Sequence, residues 1–213
     1  MKKLFLIATV TFLTAATFAQ SDKYVASMKA NIAAIDSSFK NPANLLDLAN
    51  KFERIATAEK TQWLAYYYAA LCQVNYTYME QDKSKIDAIA DKATELIDKA
   101  DALQPNNSEI SCLKSMIASA HMMVNPMQRF QEYGPEAASY IEAAMKQDPA
   151  NPRPEFLQGQ GFKFTPAQFG GGCVTAKPVL QSSLAKYNTF KPASEIHPNW
   201  GKQRVEMYIG ECK

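Results

Sequence analysis

Two stretches decide the fold: ATELIDKADALQPNN, residues 93–107, and AASYIEAAMKQDPAN, residues 137–151. They align without a gap. Ala93, Ile97, Ala100 and Pro105 fall on Ala137, Ile141, Ala144 and Pro149, each pair 44 residues apart, and each proline stands two residues before an asparagine. In each copy the alanines and isoleucine recur at i, i+4 and i+7, which is one face of a helix, and the proline has no N–H with which to continue it. Self-similarity at a fixed period marks a repeat architecture, in which every unit buries its apolar face against the next. A weaker third copy sets Ala176, Leu180 and Ser183 at equivalent spacing, with Asn188 where the proline would stand.

Outward from the repeat, helical periodicity runs through nearly the whole chain, and no run alternates apolar and polar residues as a strand would. Residues 22–39 read as a first helix with Val25, Met28, Ile32, Ile35 and Phe39 on one side. Asn41-Pro42 opens a second, with Leu45, Leu48, Phe52 and Ile55, since proline suits a first helical turn. A third, residues 61–79, carries no charge; Trp63, Tyr67, Ala70, Val74 and Tyr78 form one stripe and Tyr68, Cys72 and Tyr76 another. A helix apolar on both sides is sandwiched between neighbours. The expected fold is all-α: a right-handed superhelical stack of antiparallel helix pairs, about nine helices, with the first two and the last as caps.

The paired segments resemble the second helix of a tetratricopeptide repeat, over roughly residues 60–191. In that family small residues let paired helices approach, a large apolar residue fills the gap between them, and the proline ends the helix. The spacing of 44 exceeds the family's usual ~34, which predicts a bulging connection at residues 125–133, near Gly134-Pro135. The resemblance implies a TPR-like solenoid that binds another protein or peptide of the cell envelope and performs no catalysis. A second similarity lies in Phe164-Thr165-Pro166-Ala167-Gln168-Phe169-Gly170-Gly171-Gly172 and the later His197-Pro198-Asn199-Trp200-Gly201. These elements are similar to helical periplasmic proteins related to the T-component of tripartite transporters. They imply the alternative function, a small-molecule-binding accessory subunit of a periplasmic transporter.

Lys2 and Lys3 precede an apolar run from Leu4 to Phe18, followed by Ala19-Gln20, which reads as a signal peptide, residues 1–19, cleaved after Ala19. The run is shorter than the roughly twenty residues needed to cross a bilayer. No cysteine follows it before Cys72, so no lipid-attachment cysteine is expected, and residues 20–213 are predicted to form a single periplasmic or secreted domain. Removing the two lysines leaves 21 basic and 21 acidic residues. A balanced chain without a basic run offers no electrostatic footprint for nucleic acid, and no membrane insertion is expected after cleavage.

Candidate binding residues are few. Tyr68 and Tyr76 supply broad aromatic area, and Phe169 with Gly170, Gly171 and Gly172 forms a loop whose backbone N–H groups could face an anion at a following helix start. Both readings compete with plain packing and a tight turn. His121 and His197 sit in no metal-ligand motif, no nucleophile elbow or nucleotide loop is present, and no metal, cofactor or catalytic residue is expected. Met116, Met122 and Met123 read as core filler beside His121. Asp82, Asp87, Asp91, Glu95 and Asp98 alternate with lysines as a solvated face. Of four cysteines, Cys72 and Cys112 lie in apolar helices, whereas Cys173 opens a helix beside the glycines and Cys212 lies near a terminus that would fray unless fastened. A Cys173–Cys212 disulfide is the pairing proposed, in a compartment where it can persist.

Overall fold

In a computed structural model that describes residues 22–212, the two repeat segments form the C-terminal portions of long helices, α5 (Lys83–Leu103) and α7 (Pro126–Gln147). The predicted signal peptide lies outside the described residues. Ala93, Ala100 and Ala144 are fully buried and Ala137 nearly so, which is how small side chains let helix axes close on their neighbours. Each helix stops at its predicted proline, and the asparagine two residues later starts the next. Asn107 accepts from the Glu109 and Ile110 amides to cap α6 (Ser108–Val124), and Asn151 accepts from the Arg153 amide at the start of α8 (Arg153–Phe164). The third copy is also a packing face: Ala176, Leu180 and Ser183 of α9 (Cys173–Thr189) are completely buried.

Before the repeats come α1 (Asp22–Ala33), α2 (Ile35–Ser38), α3 (Ala43–Ala58) and α4 (Trp63–Thr77); α10 (Lys202–Glu211) follows them. Among the described residues every regular element is helical. From α3 to α9 each helix packs on the next, and α6 also touches α4 and α8, giving an inner row of α4, α6 and α8 with α3, α5, α7 and α9 outside. Twelve of the fifteen residues of α4 are buried, so the helix with two apolar sides is sandwiched.

Two boundary expectations are corrected. The first helix breaks at Ala34, because Ser37 and Ser38 hydroxyls both donate to the Ala34 carbonyl and compete with the helical ladder. The bulge expected at residues 125–133 does not form: α7 runs unbroken through Gly134 and Pro135. Pro135 has no N–H to offer the carbonyl of Gln131, a residue that is itself exposed. The ten residues beyond the usual repeat length are absorbed by long helices, 21 residues in α5 and 22 in α7.

The C-terminal segment does more than cap. Residues 190–201 cross back over the inner row: Glu195 pairs with Lys29, His197 meets the Trp63 ring edge-on at 5.9 Å, and Trp200 Nε1 donates to Tyr67 Oη at 2.8 Å. Gly201, at φ +111°, fits where a Cβ would lie 2.1 Å from Tyr187 Oη. Cys212 is bonded to Cys173, with the Cα atoms 5.1 Å apart, which fastens α10 to the start of α9; Cys72 and Cys112 are free and buried.

Candidate functional site

The six residues singled out from sequence for binding do not converge. Tyr68 is core, 2% exposed, stacked on Phe52 at 5.3 Å; burial within α4 overrides its recognition potential. Tyr76 is half-buried and donates to Glu80. Phe169 is exposed, but the glycine amides beside it are consumed internally: Gly170 donates to Ala167 O, Gly171 to Pro166 O and Gly172 to Phe162 O. The three glycine amides are thus unavailable to an anion, and the loop is a tight turn.

A groove forms instead between the outer helices α5 and α7, floored by α6, with a volume of about 240 Å³. Its floor is Lys114, Ile117, Ala118 and His121. The α5 wall presents Asp91, Thr94, Ile97 and Asp98 at near-helical intervals, and the α7 wall Tyr133, Glu136 and Tyr140 at i, i+3 and i+7. The groove is therefore mixed in character: Ile117 and Ala118 lie on its floor between Lys114 and His121, two tyrosines flank Glu136 on one side, and Asp91 and Asp98 stand on the other. A second depression, lined by Asn50, Glu53, Arg54 and Thr57 of α3, has no aromatic or aliphatic wall.

Each end of the groove carries a fixed polar group. Lys114 is held 2.8 Å from Asp101 and 3.3 Å from Asp98. Burial alone would lower its pKa, but the two carboxylates outweigh that and hold it above the usual lysine value. Seven residues on, about 10 Å along the helix, stands His121. Its Nδ1 lies 2.9 Å from Asp87 Oδ1, and Arg129 grips the same carboxylate with two bonds, 2.6 and 2.8 Å. The Arg129 guanidinium, with His121's hydrogen bond and charge in support, pulls the Asp87 pKa down to about 2. Arg129 also donates to the His121 backbone carbonyl at 3.0 Å, and Tyr133 stacks on the imidazole, centroids 5.2 Å apart. Burial raises the pKa of Tyr133 and of Tyr140, so both stay neutral phenols.

Sequence reasoning saw Asp87, Asp91 and Asp98 as a solvated face and His121 as solitary. A signal existed in the facing spacings, Asp87/Asp91/Asp98, Lys114/His121 and Arg129/Tyr133/Tyr140, but only the packing order of three helices sets them opposite one another. Deeper in lies a second polar cluster. Arg153, with its side chain fully buried, donates to Glu109 at 2.7 Å and to Pro198 O at 2.6 Å, beneath Trp200 and Phe190. Burial pushes the Glu109 carboxyl up while Arg153 opposes it.

Among solved structures the protein is similar to the HusA haemophore from Porphyromonas gingivalis, with 37% sequence identity over 92% of this chain and 95% of that one and a TM-score of 0.81. The chain belongs to the family of that haemophore. No protein-family model matches it, tetratricopeptide models included, and no curated protein does. The tetratricopeptide likeness is thus one of helix packing, and the relationship found is not to the T-component proteins. No described helix is long and apolar enough to cross a membrane.

Proposed function

We propose that this protein is an exported binder of a haem-class tetrapyrrole, which it holds in the groove between α5 and α7. This replaces the expected protein scaffold with the small-molecule alternative, without the transporter subunit. The observation that carries the reading is the groove's chemistry in a member of a haemophore's family. Ile97, Ile117 and Ala118 suit the apolar macrocycle, Tyr133 and Tyr140 its π-face, and the Lys114 ammonium a peripheral carboxylate. At about 240 Å³ the groove is smaller than the ~300–1,000 Å³ of sites that enclose their ligand, so it covers part of a tetrapyrrole and leaves the rest accessible for hand-over. A peptide laid along the inner row would instead meet the chain's own residues 190–201.

Titration of the purified mature protein with haemin, followed by absorbance, tests this. Saturable binding tighter than about 10 μM is expected. The double variant Tyr140→Ala, Lys114→Ala should weaken it by about tenfold or more, and Tyr76→Ala, outside the lining of the groove, should leave it unchanged. Absence of saturable binding, or equal affinity in all three proteins, overturns the assignment.

A further inference from the structure

We propose that the end of the molecule formed by the glycine turn and α10 docks on an anionic lipid surface, with Phe169 and Val174 entering the headgroup layer and Lys177 meeting the phosphates. The proposal is independent of the tetrapyrrole reading and uses none of the groove's residues.

Among the described residues eight large apolar side chains are exposed, and four of them belong to this end: Phe164 at 64%, Phe169 at 68%, Val174 at 91% and Met207 at 50%. The elements that carry them are tied together. The Phe164 ring meets Tyr208 of α10 edge-on at 5.5 Å, and Lys163 bonds Glu211, one turn beyond Met207, at 2.9 Å. The Cys173–Cys212 bridge joins the start of α9 to the end of α10. Between them the turn is closed by its own amides, so Phe169 and Val174 stand out from a fixed frame. Apolar side chains held in water in one patch mark an interaction surface.

Shape and charge define the occupant. Neither the groove nor the second depression takes in any of the four residues, so the patch offers a small molecule no walls. A bilayer needs none, because its fluid headgroup layer moulds around side chains that protrude. From Phe156 to Ser194 every charged residue is a lysine, namely Lys163, Lys177, Lys186 and Lys191, and Lys177 lies one turn from Val174. Of the α10 carboxylates, Glu206 and Glu211, the second is matched by Lys163. Lys163 Nζ lies 5.0 and 5.2 Å from the ring centroids of Phe164 and Tyr208. A charged head with its apolar stem on aromatic rings suits the boundary between hydrocarbon and water. The balanced charge of the chain conceals this end because opposite signs are segregated along it. From Glu80 to Asp148 acidic residues outnumber basic ones 12 to 7, whereas from Arg153 to Cys212 basic residues lead 7 to 4. An anionic surface therefore attracts the C-terminal end and repels the stretch from α5 to α7.

Flotation of the purified mature protein with vesicles tests this. Vesicles of phosphatidylglycerol and phosphatidylcholine in equal parts should carry it upward, and binding to phosphatidylcholine alone should be weaker by about tenfold or more. The double variant Phe169→Ser, Val174→Ser should lose about tenfold or more of the binding to mixed vesicles, and Lys177→Glu about fivefold or more. Met127→Ser, Phe130→Ser, which removes another exposed apolar pair at the start of α7, should bind as wild type does. In Phe169→Trp the emission, corrected for Trp63 and Trp200, should shift to the blue on mixed vesicles and be quenched by brominated acyl chains, a readout that does not depend on the double variant's folding. The proposal is overturned by wild type that ignores mixed vesicles or binds both kinds equally, by a double variant that binds as wild type does, by equal loss in the α7 variant, or by an unshifted emission. If vesicles leave the protein in solution and sedimentation shows dimers that the double variant lacks, a second copy covers the patch and the membrane assignment falls.

Discussion

Glu109 and Arg153 occupy equivalent positions of successive repeats, 44 residues apart, and they touch each other. Carrying opposite charges at one repeat position turns an internal symmetry into a contact between neighbours. The Arg153 guanidinium is fully buried and lies against the rings of Trp200, Phe190 and Tyr187. Removing one partner therefore strands the other charge in the interior. Arg153→Met should cost about 3 to 5 kcal/mol, measured by urea denaturation, and Glu109→Gln added to it should recover part of that loss. Additive costs in the double variant would show that the two residues are not energetically paired. The alanines and prolines of the repeat were legible in the sequence because their roles are local, size and a missing N–H; the asparagines stood out by position, and their capping role is seen only in the structure. The Glu109–Arg153 contact was not, because the same 44-residue offset is compatible with either residue facing solvent.

At the scale of elements, the glycine turn between α8 and α9 shows how one composition can serve opposite ends. Its amides looked available to a ligand, yet all three are spent on Ala167, Pro166 and Phe162 carbonyls. Gly171 is needed for closeness, since a Cβ there would sit 2.1 Å from the Thr165 carbonyl oxygen, whereas one at Gly161 would meet nothing within 4 Å. Gly171→Ala should accordingly destabilise the protein by about 1 to 3 kcal/mol, while Gly161→Ala, in the body of α8, should stabilise it by up to about 1 kcal/mol. Equal melting temperatures for the two variants would contradict the turn geometry. The helices of the groove were likewise legible one by one. Their facing was not: periodicity gives each helix an apolar stripe, but which polar residues end up across a gap depends on how α5, α6 and α7 are ordered and rotated.

Taken as a whole, the molecule departs most from a simple repeat at its C-terminal end. The sequence reading placed a cap there, but the cap is also a cover, with Trp200 bonded to Tyr67 and Glu195 to Lys29. The aromatic richness of α4 marked it as buried without revealing that part of its covering comes from so distant a segment. The Cys173–Cys212 bond spans 39 residues of sequence and holds this cover at its far end. Cys212→Ser should lower unfolding free energy by about 3 to 4 kcal/mol, a figure that depends on the chain-entropy account of crosslinks. Chemical denaturation under non-reducing conditions measures it, and a midpoint equal to that of the oxidised wild type would mean that the noncovalent contacts suffice.

The same cover bears on the order of folding events. Ordinary helical arrays can nucleate in any unit and zip toward both ends, since each repeat answers only to its neighbours. Here the partners of Tyr67 and Lys29 lie 133 and 166 residues further along, and loop closure over such distances slows folding. A chain that emerges N-terminus first thus has α4 still lacking Trp200. It completes its core only after that tryptophan has emerged, so the architecture itself delays the native state until nearly the whole chain is available.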